Sequence, residues 1–203
     1  MPRLRSLTVD EFDPELRAML QADQKSEREM RPTSVRAHHP EFAKAYVRFM
    51  AAFKEHAVLP TRLRELVRLR IAFHNQCRSC MAMRYADAVD AGVSEDLVCS
   101  LENPLEAPDL TDAERVALRY ADLLATNHLA IGDALYAELA RHFSDKQIVE
   151  LGSWCAICIG FGRLSATWNM VEDLPERFQA IGDAPVTPWG PDAWVTQAPP
   201  RTR

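Results

Sequence analysis

Helix-start signals recur along this chain and strand signals do not. Thr8-x-x-Glu11, Thr111-x-x-Glu114 and Ser144-x-x-Gln147 each set a hydroxyl three residues ahead of a carboxylate or amide. That spacing lets the two side chains satisfy free N–H groups of a first helical turn reciprocally. Pro40 and Pro60 sit where a first turn tolerates proline. Gly92 after Ala91 reads as a helix stop, and Ser94 caps the next short helix. There are only seven glycines in 203 residues, and no Asn-Gly or Asp-Gly hairpin signal. The expected class is all-α, with helices near 8–20, 40–57, 60–75, 77–91, 94–101, 111–127, 132–142 and 144–171.

The length suits one domain, or two small halves around a shared core. The expected organisation is an N-terminal helix and polar linking segment over 1–39, an all-helical domain over 40–182, and a tail over 183–203. Five of the 13 prolines fall in the last 21 residues, which rules out a regular helix there. Trp189 and Trp194 in this tail either pack it on its own subunit or anchor it on a neighbouring one. Leu63-Arg64-Glu65-Leu66 and Ile148-Val149-Glu150-Leu151 open two long apolar helices 85 residues apart, the trace of a worn internal repeat. The same offset sets Gly162 and Ser165 opposite Cys77 and Cys80.

A formal net charge of −5 disfavours binding nucleic acid through a basic field. The N-terminus has two arginines but no apolar run behind them, so it does not read as a signal peptide. The longest uncharged stretch, Leu151 to Gly162, falls short of the roughly 18 residues that suggest a membrane span. The expected setting is therefore the cytoplasm, without a membrane or nucleic-acid partner. Thiols are kept reduced there, and a Cys-x-x-Cys pair is then catalytic or metal-binding more often than structural.

The five cysteines, at 77, 80, 99, 155 and 158, form two Cys-x-x-Cys pairs and a singleton. Cys77 and Cys80 follow Gln76, where one helix should end and another begin. A thiol at a helix N-terminus meets unpaired N–H groups that favour thiolate, whereas free cysteine has a pKa of about 8.5. Arg84, four residues after Cys80, is expected on the same helical face, and Arg78 is close. A permanent cation at either place would stabilise thiolate further. Arginine does not take up a proton, so a base must come from elsewhere. Glu65 lies at the margin of an apolar arc spanning about 200° of its helix. It is either a partly desolvated proton shuttle or, the reading geometry favours, a surface glutamate paired with Arg62 or Arg68. His74, near the motif, reads mainly as a packing residue.

Glu65, then Cys77 twelve residues on, then Cys80, resembles the motif of the alkyl hydroperoxidase D-like proteins of the carboxymuconolactone decarboxylase family. The flanks agree: Leu59-Pro60-x-Arg62-x-Arg64 before it, Asn75 ahead of Cys77, and Ala91-Gly92-Val93-Ser94 after it. The resemblance covers about 40–125 and implies an all-helical homo-oligomer that works as a thiol peroxidase. On that basis Cys80 attacks a small-molecule hydroperoxide, Cys77 resolves the sulfenic acid as a disulfide, and Glu65 moves the proton. A dithiol protein reductant then reopens the disulfide, and no metal or organic cofactor takes part. The family motif has histidine where this chain has Arg84, so a fixed charge stands in place of a proton relay. The family also contains muconolactone-decarboxylating lyases, generally without the paired cysteines. A lyase, or a non-catalytic redox-responsive oligomer, is therefore the alternative.

Cys155 and Cys158 lie in the most apolar stretch of the chain, where thiols behave as small inert hydrophobes. Cys99 is expected in the core as well. A zinc site drawn from both pairs would need ligands unusually far apart in sequence. Arg70 falls inside the apolar arc of its helix and calls for a partner, either Glu150 or Asp122.

Overall fold

The computed structural model describes residues 2–179, 185–188 and 194–195. Its helices follow the capping signals closely. α1 (Pro14–Leu20), α2 (Glu27–Arg36) and α3 (Pro40–Glu55) come first, then α4 (Thr61–His74), α5 (Arg78–Ala82), α6 (Ala86–Asp90) and α7 (Glu95–Cys99). α8 (Asp112–Thr126), α9 (Asp133–Leu139), α10 (Asp145–Trp168) and α11 (Glu176–Gln179) complete the set, with single 3-10 turns between some of them. Strand among the described residues is limited to β1 (Met83–Arg84) and β2 (Trp194–Val195), which pair in parallel. The all-α expectation holds.

Packing divides the chain into two compact units. The first comprises Met1–Ala57 with Trp168–Asp173, and the second Val58–Thr167 with Leu174–Arg203. The boundary falls after α3 rather than at residue 39. In the first unit Phe12, Leu16, Ala22, Met30, Ala37 and Ala43 bury one core, while Val35, Trp168 and Met170 form a smaller one. The polar segment 21–39 is not merely a linker, because it carries α2. The Ser26 hydroxyl accepts from the Glu29 N–H, and the Glu29 carboxylate accepts from the Ser26 N–H. That capping box starts a helix whose Met30 and Val35 are buried.

In the second unit α4 packs against α8. Leu66, Val67, Leu69 and Ile71 of α4 are fully enclosed, with Leu118 and Leu139 in the same core. Burial of each such side chain contributes about 1.5–3 kcal/mol. Leu151 and Cys155 bring α10 into this core, and the Trp154 indole N–H donates to the Arg64 carbonyl at 2.8 Å. Glu150 accepts the backbone N–H groups of Val58 (2.6 Å) and Leu59 (3.2 Å), which fixes the approach to α4. Arg70 finds its partner in Asp122, at 2.7 Å. By length and composition α10 is long and apolar enough to cross a membrane. The uncharged stretch Leu151 to Gly162 is shorter than a span, and the helix gains its length by running past Arg163 to Trp168.

Helix was expected without interruption over 77–91, but it breaks at Met83–Tyr85. Arg68, from α4, takes the carbonyls of Cys80 and Met83, and Arg84 takes that of Met81 three residues before it. A longer helix would need those acceptors for its own ladder.

Candidate active site

α4 leads to the thiols through one left-handed residue, Gln76, at φ 50°. A non-glycine residue holds that conformation only when its surroundings fix it. Gln76 Nε2 donates to the carbonyls of Phe73 (2.7 Å) and Val186 (3.1 Å), and Oε1 accepts the Val186 N–H at 2.9 Å. Just before it, Asn75 Nδ2 donates to the Cys158 carbonyl at 2.9 Å, which ties the end of α4 to α10. A side chain at Gly162 would collide with this amide, its Cβ lying 2.4 Å from Nδ2. Glycine is required there by close approach.

Cys77 precedes α5 and is fully buried, while Cys80 within α5 is partly open. The two are joined as a disulfide with Cα atoms 5.2 Å apart. Ser79 Oγ lies 3.6 Å from the Cys77 sulfur. Of the two residues Cys80 is the more exposed.

Glu65 is neither at the surface nor paired with Arg62, which instead bonds Glu114 at 2.7 Å. Both Glu65 oxygens are taken by Arg68, through Nε and Nη2, each at 2.7 Å. The outer edge of the same guanidinium reaches the Cys80 carbonyl at 2.7 Å and the Met83 carbonyl at 2.8 Å. Its carbon stands 4.9 Å over the Tyr85 ring. Burial by itself would lower the Arg68 pKa, but the Glu65 carboxylate outweighs it and holds the guanidinium above its usual range. Glu65, Cys77 and Cys80 are thus brought into one assembly through Arg68. Sequence reasoning named Arg68 only as a possible partner for Glu65 and missed its reach to the motif; the i, i+3 spacing was the available signal.

Arg84 does not share a face with Cys80. It lies in β1 and is 1% exposed. Its donors go to Glu95 (2.8 Å), to the Met81 carbonyl (2.7 Å) and to the Pro188 carbonyl (2.7 Å). That pattern is one of bracing. His74 Nε2 donates to Asp122 Oδ1 at 2.7 Å, alongside Arg70. Burial pushes the Asp122 carboxyl up, yet His74 and Arg70 together outweigh this and hold it below the usual carboxylate range.

Cys155 is buried, and burial pushes its thiol well up. Burial likewise pushes Cys158 up to about 12, with Arg68 pulling the other way. Both fit packing roles. Cys99 is exposed rather than buried, because the short α7 turns Leu97 and Val98 inward and leaves Cys99 outside. Among the described residues no cluster of His, Cys, Asp and Glu is arranged to hold a metal ion. Val186, Thr187 and Pro188 of the tail lie against the same chain, at Gln76, Arg177 and Arg84. Trp189 is outside the described residues, and Trp194 is described only through its backbone pairing with Met83.

This architecture is that of the alkyl hydroperoxidase D-like proteins. A crystal structure from Ralstonia eutropha, described as an alkylhydroperoxidase AhpD core of an uncharacterized peroxidase-related protein, matches with a TM-score of 0.71. It covers 91% of this chain and 97% of that one at 18% identity, a likeness of fold. Residues 40–123 match the model of the carboxymuconolactone decarboxylase family. That match spans less than half of the chain. The uncharacterized protein YnjA of Escherichia coli is 30% identical over 115 residues, 57% of this chain and 61% of that protein. The uncharacterized protein Rv2313c of Mycobacterium tuberculosis is 39% identical over 105 residues, 51% of this chain and 36% of that protein. The matched region thus spans about three fifths of one relative and about a third of the other.

Proposed function

We propose that the protein is a thiol-dependent hydroperoxide reductase. The observation that carries this reading is the disulfide between a buried Cys77 and a part-exposed Cys80, backed by the buried Glu65–Arg68 pair. In the reduced state the Cys80 thiolate attacks the terminal peroxide oxygen. The O–O bond breaks, Cys80 becomes a sulfenic acid, and the alcohol leaves after taking a proton. Cys77 then attacks the Cys80 sulfur, which forms the disulfide and releases water. Glu65 accepts and returns the proton, through water. A dithiol protein regenerates both thiols by exchange and is itself oxidised to a disulfide.

The active form in this proposal is a cytoplasmic homo-oligomer. α10 offers a surface for it: Val149 (68% exposed) and Leu164 (43% exposed) lie along a face that also exposes Ser153, Ala156 and Gly160. Apolar faces of this kind on soluble chains mark contact sites. The proposal is tested by adding one equivalent of an alkyl hydroperoxide to the fully reduced protein. The expected result is the Cys77–Cys80 disulfide by peptide mapping, and catalytic peroxide consumption once a dithiol reductant is present. Peroxide left intact under both conditions would reject it and favour the lyase or the non-catalytic oligomer.

A further inference from the structure

Arg68 touches both the candidate base and the backbone of the candidate nucleophile. One edge of its guanidinium holds both oxygens of Glu65, and the other holds the carbonyls of Cys80 and Met83. A group bonded to the Cys80 carbonyl stands, by covalent geometry, within about 8 Å of the Cys80 sulfur. The surroundings are nearly dry, with Arg68 7% and Glu65 4% exposed, so charges act there at longer range than in water.

We infer that Arg68 is a positioning residue that sets the ionisation of the Cys80 thiol, and that Glu65 tunes it by competing for the same guanidinium. Two anions, the Glu65 carboxylate and the Cys80 thiolate, share a single cation when the disulfide is open. Loss of the carboxylate's charge strengthens the cation's hold on the thiolate. Formation of sulfenic acid, which removes the thiolate, returns the guanidinium fully to Glu65. The role that sequence spacing gave to Arg84 thereby passes to Arg68, whose neighbour in space is Cys80 itself.

The other charged and titratable groups around α5 are accounted for. Arg84 is turned to Glu95, and Arg78 donates to the Gln179 carbonyl at 3.0 Å. α11, which packs on α5, brings Glu176 and Arg177, with Arg177 bonded to the Thr187 carbonyl. Tyr85 stacks under Arg68, and on α10 the Cys158 thiol interacts with both Arg68 and Glu65.

This inference rests on the reading of Cys80 as the attacking thiol, but its test needs no peroxide. The pH profile of iodoacetamide alkylation at Cys80, in a Cys77→Ser background, reports thiol ionisation alone. Arg68→Met should raise the apparent thiol pKa by about one unit or more. Arg68→Lys should fall between it and the parent, because charge returns without the fork that reaches both carbonyls. Glu65→Gln should move the pKa in the opposite direction, downward. A structural role alone would shift both single variants the same way. If Arg68→Met does not fold, the double variant Glu65→Gln/Arg68→Met removes both buried charges and should still sit above Glu65→Gln. Shifts of equal sign for Arg68→Met and Glu65→Gln, a double variant level with Glu65→Gln, or no shift at all would overturn the inference. A normal set of shifts in a protein that ignores peroxide would leave it standing while rejecting the peroxidase reading.

Discussion

Substituting Gly162 by alanine should change sign as a stability effect when Asn75 is also removed. In the native chain the new Cβ would lie 2.4 Å from Asn75 Nδ2 and 3.5 Å from its Cγ. The short asparagine side chain must swing away, and Nδ2 then loses the Cys158 carbonyl in a site where Asn75 is 9% exposed. Stranding a buried donor costs about 1–3 kcal/mol. Replacing glycine by alanine inside a helix returns about 1 kcal/mol. The net expectation is a loss of about 1 kcal/mol for Gly162→Ala alone. With Asn75→Ala in place the collision and the stranded donor are both gone, and the same change should stabilise by about 1 kcal/mol. The coupling between the sites is then about 2 kcal/mol. Chemical denaturation of the four oxidised proteins measures the cycle. An effect of the same sign in both backgrounds would refute the account of why glycine stands at 162.

Arg84→Met should destabilise the protein by about 3 kcal/mol, since it strips partners from the Met81 and Pro188 carbonyls and leaves Glu95 to water. The alkylation profile of Cys80 should move far less than in Arg68→Met; a shift as large, in folded protein, would restore Arg84 to the thiol. Asp122→Asn should cost about 2 kcal/mol near neutral pH by unpairing Arg70 and His74. The Asp122 pKa is lowered on folding, so its contribution is complete above its unfolded value near 4 and fades as pH falls through the folded value. Denaturation midpoints of the two proteins should therefore converge only below about pH 4, and convergence already at pH 6 would contradict the pairing. Truncation before Pro185 removes the partners of Gln76 and Arg84, and should speed reduction of the disulfide by a small dithiol by at least about threefold. An unchanged rate would show that the tail does not brace the motif.

Local rules carried much of this fold. The capping boxes at Thr8, Thr111 and Ser144 mark where helical structure begins, and the all-α class followed from them. α2 was equally legible at Ser26-x-x-Glu29 but was hidden by its polar composition, because burial of Met30 and Val35 depends on the neighbouring helices. The break after Ala82 could not be read locally, since it is imposed by guanidinium groups arriving from Arg68 and Arg84. The same tertiary bonds decide the site. Spacing singled out Cys77 and Cys80 and the family resemblance added Glu65, but an assumed continuous helix placed Arg84 beside Cys80, whereas the guanidinium that reaches the Cys80 carbonyl is that of Arg68, one turn beyond Glu65. Cys99 was misplaced for a related reason: in a helix as short as α7 the apolar positions are too few for periodicity to assign a face.

In the proposed cycle Cys80 is oxidised by peroxide and Cys77 resolves it. The most direct test is mass spectrometry of the Cys77→Ser variant, reduced, treated with one equivalent of hydroperoxide and trapped with dimedone. The account predicts one dimedone adduct, on Cys80, and none on Cys99, Cys155 or Cys158. An unmodified Cys80, or an adduct confined to another cysteine, would contradict it.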